Sequence, residues 1–239
     1  MIKAVVFDMD DTIFYPQIPF GEALNEVFPE YIDDLSEAYR LFRKISDKEF
    51  QSVLEGSRDI PTFHRERIKK MMTVYGYGRD KMTDRQADAF QQSYLYQQGN
   101  IQILDGIKAA FEYLKEKGIR QGLLTNGPTE YQRKKIDCLK LKEYICAEDI
   151  IISQEVGFSK PSPEIFRLME RKLGLSANEL IYVGDNYEND ILGGANCGWK
   201  TVWINHKKSD IAFSEGNRAD AEINSHEELL DVIRQLLNE

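Results

Sequence analysis

Cysteine is scarce in this chain, positive charge is in deficit, and no apolar run approaches the length that spans a bilayer. The three cysteines, Cys138, Cys146 and Cys197, are odd in number and lack the paired spacing of a metal-binding knuckle. They are expected to be free thiols, buried or half-buried. A formal net charge of -9 argues against a nucleic-acid surface, because polyanion binding needs a basic patch. It does not argue against a small phosphate ester, since one bound cation and a single lysine can reverse the field locally. Internal repeats and low-complexity stretches are also missing. Met1-Ile2-Lys3 leads into a strand pattern rather than a signal peptide, so the expected location is the cytoplasm, with no membrane and no protein partner implied. What remains is a chain of 239 residues, long enough for one large or two modest domains, with the 42% hydrophobic and 30% charged content of an ordinary globular protein.

The chain is organised around Ala4-Val5-Val6-Phe7-Asp8-Met9-Asp10-Asp11-Thr12, four apolar residues running into three carboxylates and a hydroxyl. The apolar run reads as a strand covered on both faces, although so short a run is also compatible with buried helix. In an extended chain, residues two apart point to the same side, so Asp8 and Asp10 are expected to converge. Two carboxylates that close repel unless a proton or a cation lies between them. A hard divalent ion such as Mg2+ is the candidate. The alternative is an acidic turn in which Asp11 or Thr12 caps the next segment.

From near Tyr15 to near Gly99 the pattern is helical. Phe20, Leu24, Val27, Phe28, Tyr31, Leu35, Tyr39 and Phe42 recur at helical spacing. A further stretch opens at Ile60-Pro61, and Thr83-Asp84 caps a last helix. This block reads as a helical insertion, with helices that merely cover the sheet as the alternative. His64, Arg65 and Arg67 are candidates for substrate contact, although exposed basic residues on helices are more often solvated. From residue 100 onward helix and strand alternate, which predicts a parallel sheet with helices on both faces. Strands are expected at Ile119–Leu124, Ile150–Ile152, Leu180–Val183 and Thr201–Ile204, and helices at Asp105–Lys117, Pro128–Leu139, Pro163–Gly174 and Glu227–Leu237. Lys207–Arg218 is polar and reads as a surface loop.

Ligands of such sheets bind outside the carboxyl ends of the strands, and the chemically interesting residues fall there. Thr125 and Asn126 follow Leu123-Leu124 and offer donors to a phosphoryl oxygen, although Thr-Asn-Gly is also a plain turn. Lys160 precedes Ser162-Pro163, a helix start with Ser162 as N-cap, and a lysine beside a helix N-terminus makes a seat for phosphate. Asp185 follows Val183-Gly184, with Asp190 in or near the first turn of the next helix.

These four stretches, Asp8-Met9-Asp10-Asp11-Thr12, Leu124-Thr125-Asn126, Lys160-Pro161 and Gly184-Asp185 through Asn189-Asp190, resemble in order the four motifs of the haloacid dehalogenase superfamily. The resemblance covers nearly the whole chain. It implies an α/β, Rossmann-like catalytic core over 1–15 and 100–239 and an inserted all-helical cap over 16–99. It also implies phosphatase activity on a small phosphorylated metabolite. By the resemblance, Asp8 is the nucleophile, Asp10 the general acid and base, and Thr125, Asn126 and Lys160 hold the phosphoryl group. Mg2+ is bound by Asp8, the carbonyl of Asp10 and Asp185, with Asp190 behind them. Asp10 needs a raised pKa for this role, and neighbouring carboxylates are expected to supply it. The chain looks most similar to the pyrimidine 5'-nucleotidase branch, and also to N-acylneuraminate 9-phosphatases and phosphoglycolate phosphatases. A phosphomutase shares every motif, a 2-haloacid dehalogenase has no use for an acid at Asp10, and a phosphoacceptor signalling module needs neither that acid nor the helical insertion.

Overall fold

The computed structural model describes residues 1–29, 32–54, 56–78, 81–206 and 218–237. Tyr31 and nearly all of the polar stretch from Lys207 lie outside them. The chain forms two compact units, one of residues 16–101 and one of residues 1–15 with 102–239.

The first unit is built from α1 (Gln17–Val27), α2 (Leu35–Leu54), α3 (Ile60–Val74) and α4 (Asp84–Gln98). Apolar residues at helical spacing give each helix one stripe to bury. The stripes meet around Phe20, Phe42, Met71, Phe90 and Tyr94. The rings of Phe20 and Phe42 lie 4.9 Å apart, and Phe90 stacks on Tyr94 at 5.8 Å. Each such ring contributes about 1.5–3 kcal/mol by burial, with about 0.5–1.5 kcal/mol more for the aromatic pairing. The helix starts are specified locally. Asp59 accepts from Thr62 N–H at the head of α3, and Thr83 and Gln86 form a reciprocal capping box on α4.

Within this unit two of the three basic candidates, Arg65 and Arg67, tie helices together. Arg65 pairs both carboxylate oxygens of Asp88 at 2.7 and 2.8 Å, joining α3 to α4. Arg67 donates to Gln91 Oε1 at 2.7 Å and lies 4.6 Å over the Phe42 ring. His64 is half-buried beside Phe63, and burial, with the Arg67 charge adding to it, pushes its pKa down to about 4.

The second unit holds a parallel sheet of β1 (Ala4–Phe7), β2 (Arg120–Thr125), β3 (Ile150–Ile152), β4 (Leu180–Gly184), β5 (Lys200–Ile204) and β6 (Ala221–Ile223), in the order β3-β2-β1-β4-β5-β6. In register, Phe7 sits beside Leu123 of β2 and Val183 of β4. The α/β class read from the sequence is the one observed. β6, three residues with Glu222 exposed at its centre, adds an edge that sequence patterning did not reveal. Around the sheet run α5 (Asp105–Glu116), α6 (Thr129–Cys138), the single turn α7 (Ser153–Val156), α8 (Pro163–Leu173), the single turn α9 (Gly193–Asn196) and α10 (Leu229–Leu236). Phe111 of α5 meets the Phe7 ring at 4.8 Å, and Phe166 of α8 packs on Tyr182 and Trp199 at 5.5 and 5.6 Å. Gly174 ends α8 at φ 66°, a left-handed conformation that a side chain disfavours. Ser162 occupies the N-cap position of α8, but its hydroxyl turns to Glu164 rather than to a backbone amide. The cysteines are free as expected, though Cys146 is exposed. No helix among the described residues is long and apolar enough to cross a membrane.

Candidate active site

The strand order reverses at β1: the chain leaves it for β2 and β3 on one side and returns to β4 on the other. The carboxyl ends of β1 and β4 therefore flank the crevice in which sheets of this kind bind ligands. Asp8 follows β1, its N–H extending the ladder to Val183 O at 2.9 Å, and Asp185 follows β4. Trp203, one strand over, donates from its indole to Asp185 O at 2.9 Å and fixes that corner.

Asp190 reaches the same place from a π-helical stretch, Tyr187–Leu192, and not from the first turn of a regular helix. Its side chain lies directly against Gly184, where any Cβ would come within 2.6 Å of Asp190 Cβ and nearer still to its carboxylate. The approach itself requires the glycine. Ligand oxygens of Asp8, Asp185 and Asp190 lie within 4.8 Å of one another.

Lys160 compensates part of this charge. Its side chain is 3% exposed, and Nζ donates to Asp8 Oδ1 at 2.6 Å, Asp190 Oδ1 at 2.7 Å and Tyr182 Oη at 2.8 Å. An ammonium has three protons, and each has an acceptor. Tyr182 passes the chain on by donating to Leu124 O at 2.9 Å. Burial holds its phenol well above the ordinary pKa, so it remains a donor. The lysine's backbone is anchored as well. Asn126 Oδ1 accepts from Lys160 N–H at 2.9 Å, while Asn126 Nδ2 donates to Lys160 O at 3.0 Å. Thus the amide expected to face phosphate ties β2 to the lysine loop.

Burial pushes the Asp8 carboxyl up to about 8; the Lys160 charge opposes this, and Asp190 and Asp185 reinforce it. For Lys160, burial alone would lower the pKa, but Asp190 and Asp8 outweigh it and hold the group well above its usual range. One ammonium does not neutralise three carboxylates. The donor set is all oxygen, two of its residues are buried, and its span suits ligands sharing one small hard divalent cation.

The structure separates Asp10 from this cluster. It follows the end of β1 at Phe7 and forms an isolated bridge with Phe14, and its carboxylate is not one of the three that cluster. Its carboxylate accepts from Lys135 Nζ at 2.6 and 2.7 Å and from Gln132 Nε2 at 3.1 Å. Asp8 and Asp10 thus each have a lysine of their own. An ammonium is in direct contact with both Asp10 oxygens, a neighbour that the expected carboxylates did not include. Thr125, at the end of β2, is buried, and its hydroxyl accepts from Gln132 Nε2 at 2.7 Å. Sequence reasoning missed Lys135, Gln132 and Tyr182. The available signal was Gln132, a polar residue one turn from Ile136 on the buried face of α6.

Comparison with known proteins agrees with the geometry. Residues 2–198 match the haloacid dehalogenase-like hydrolase family. The chain is 29% identical, over 99% of both sequences, to a glyceraldehyde 3-phosphate phosphatase of Methanopyrus kandleri. It is 31% identical to the mouse (Mus musculus) N-acylneuraminate-9-phosphatase, covering 85% of this chain and 83% of that one. A magnesium-bound HAD-hydrolase from Bacillus subtilis shares the fold, with a TM-score of 0.66 at 24% identity over 97% of this chain and 98% of that one. With three carboxylates meeting at the strand ends, a lysine bonded to two of them and a family match over most of its length, the chain belongs to the haloacid dehalogenase-like hydrolases and is an enzyme of that family.

Proposed function

We propose that this enzyme is a Mg2+-dependent phosphatase that hydrolyses a small phosphorylated sugar through an aspartyl-phosphate on Asp8. The observation that carries the reading is the meeting of Asp8, Asp185 and Asp190 within 4.8 Å at the strand ends, with Lys160 bonded to two of them. Asp8, Asp185 and the carbonyl of Asp10 would hold the ion, with Asp190 bracing them, and the ion when bound offsets phosphoryl negative charge. An oxygen of Asp8 attacks phosphorus as the bond to the leaving oxygen breaks, and Asp10 delivers a proton to that oxygen. Lys160 and the Thr125 hydroxyl, whose lone pair is already taken by Gln132 so that its proton can point outward, steady the phosphoryl oxygens. Water then attacks the acyl phosphate, with Asp10 accepting its proton and Asp8 regenerated.

The names of the relatives favour the sugar-phosphate class. Glyceraldehyde 3-phosphate and N-acylneuraminate 9-phosphate phosphatases support it better than the nucleotidase resemblance does. Residues 16–101 would serve as the cap that selects the substrate. The test is phosphate release from glyceraldehyde 3-phosphate, N-acylneuraminate 9-phosphate, phosphoglycolate and nucleoside 5'-monophosphates, with Mg2+ and with EDTA. A sugar phosphate is expected to lead, and EDTA to abolish turnover. Preference for a nucleotide would overturn the substrate class, and full turnover in EDTA the metal dependence.

A further inference from the structure

We propose that Lys135, assisted by Gln132 from the same face of α6, is a positioning residue that holds the carboxylate of Asp10 in line for proton transfer and ties it to Thr125. The inference rests on the phosphatase reading of Asp10 and Thr125. Asp10 sits on a tight turn in which Asp11 takes φ 64° and its N–H reaches Phe14 O at 3.0 Å. The turn fixes the backbone but leaves the side chain a choice of rotamers. Lys135 removes that choice by contacting both Asp10 oxygens at 2.6 and 2.7 Å, its ammonium 5.7 Å from the Phe14 ring centroid.

Gln132 lies three residues earlier, on the same face of the helix. Its Nε2 faces three acceptors, Thr125 Oγ1 at 2.7 Å, Asn126 O at 3.0 Å and Asp10 Oδ2 at 3.1 Å. Only the NH2 end of the amide can face a carboxylate and a carbonyl together, so its orientation is set by chemistry. One helix face therefore grips the group assigned to the leaving oxygen and the group assigned to the phosphoryl oxygens. Misplacing a reacting group by about 1 Å can cost on the order of 100-fold in rate, so this grip is worth keeping.

The experiment compares full-length wild type, Lys135→Met, Lys135→Arg, Asp8→Asn, Asp10→Asn and Asp10→Asn/Lys135→Met on two esters. Glyceraldehyde 3-phosphate has an alkyl leaving group that needs a proton, and p-nitrophenyl phosphate has one that hardly does. Phosphoenzyme formation is followed in single turnovers with rapid acid quench, because its later hydrolysis uses Asp10 as base whichever ester formed it. Lys135→Met is expected to slow formation about 10- to 100-fold with the alkyl ester and less than about threefold with the aryl ester. In the Asp10→Asn background the same substitution should cost less than about twofold, because its target is gone. Lys135→Arg should recover most of the alkyl rate, since a guanidinium can also grip both oxygens. Equal losses in the rate of phosphoenzyme formation from both esters, losses that multiply with those of Asp10→Asn, or faster formation by Lys135→Met would each overturn the proposal while the phosphatase reading stands. If wild type hydrolyses neither ester, or Asp8→Asn remains active, that reading fails and the inference with it.

Discussion

Gly184→Ala adds one methyl group where β4 meets the acidic cluster, and the geometry sets its effect. The new Cβ would stand 2.6 Å from Asp190 Cβ and 2.5 Å from Cγ, with Oδ2 nearer still. Ordinary carbon–carbon contact is about 3.5–4.0 Å, so the side chain must retreat by roughly 1 Å. It is not free to do so, because Oδ1 holds Lys160 Nζ at 2.7 Å and Oδ2 holds Asn186 N–H at 3.0 Å. Such a retreat takes both bonds beyond about 3.5 Å, where they no longer count as hydrogen bonds. Each is charge-assisted and contributes about 1.5–3 kcal/mol, while staying in place incurs overpacking of about 1–3 kcal/mol. The chain takes the lesser route, so a net loss of about 1–3 kcal/mol is expected, or roughly 2–12 °C in Tm for a protein of this size. Magnesium affinity, read by titration calorimetry, should fall at least about tenfold, equivalent to about 1.4 kcal/mol. In an Asp190→Gly background, where the three colliding atoms are all gone, the same glycine substitution should change stability by less than about 0.5 kcal/mol. If Gly184→Ala melts within about 1 °C of the parent and binds Mg2+ equally well, Asp190 is not confined in the way described.

The two leading carboxylates should part by role: Asp8→Asn is expected to yield neither phosphoenzyme nor turnover. Asp10→Asn should lose about 10²- to 10⁴-fold in turnover yet accumulate phosphate on Asp8 with an aryl ester, seen by mass spectrometry after acid quench. Wild-type turnover by Asp10→Asn would refute this division. His64 makes stability depend on pH. Its pKa is about 4 in the folded state against 6.5 unfolded, so between those values the unfolded chain binds more protons. Stability is thus full above pH 6.5 and declines as pH falls toward 4, by on the order of 2 kcal/mol for a half-buried ring. His64→Gln should flatten that part of the Tm profile, and an unchanged slope would count against the assignment.

The acidic strand ends were legible because buried parallel strands are short apolar runs, and the first polar residues after them, Asp8, Thr125 and Asp185, stand at the sheet's carboxyl edge. Lys160 was legible from the helix start that follows it. The partner of Asp10 was not, since its carboxylate is held from α6 and is not one of the three that cluster at the strand ends. Lys135 was also hidden. In Gln132-Arg133-Lys134-Lys135 nothing local tells which basic residue turns inward; the packing of α6 decides it. β6 escaped notice because an edge strand of three residues carries neither an apolar run nor clear alternation. The π-helical turn that carries Asp190 has no composition of its own. It carries the carboxylate that lies against Gly184.

The sheet order also bears on how the protein is made. β1 is synthesised before every other strand of this sheet, yet its neighbours are β2, which begins at Arg120, and β4, which begins at Leu180. Residues 16–101, whose contacts lie within one contiguous stretch, can condense while β1 still waits for both partners. Pairings across more than a hundred residues form late and slowly. Until then Ala4-Val5-Val6-Phe7 is an unpaired apolar strand, the kind of segment on which nascent chains aggregate or recruit chaperones. Placing the nucleophile at the end of a central strand therefore delays the active site until at least Asp190 has been synthesised, and leaves that apolar stretch unpaired in the meantime.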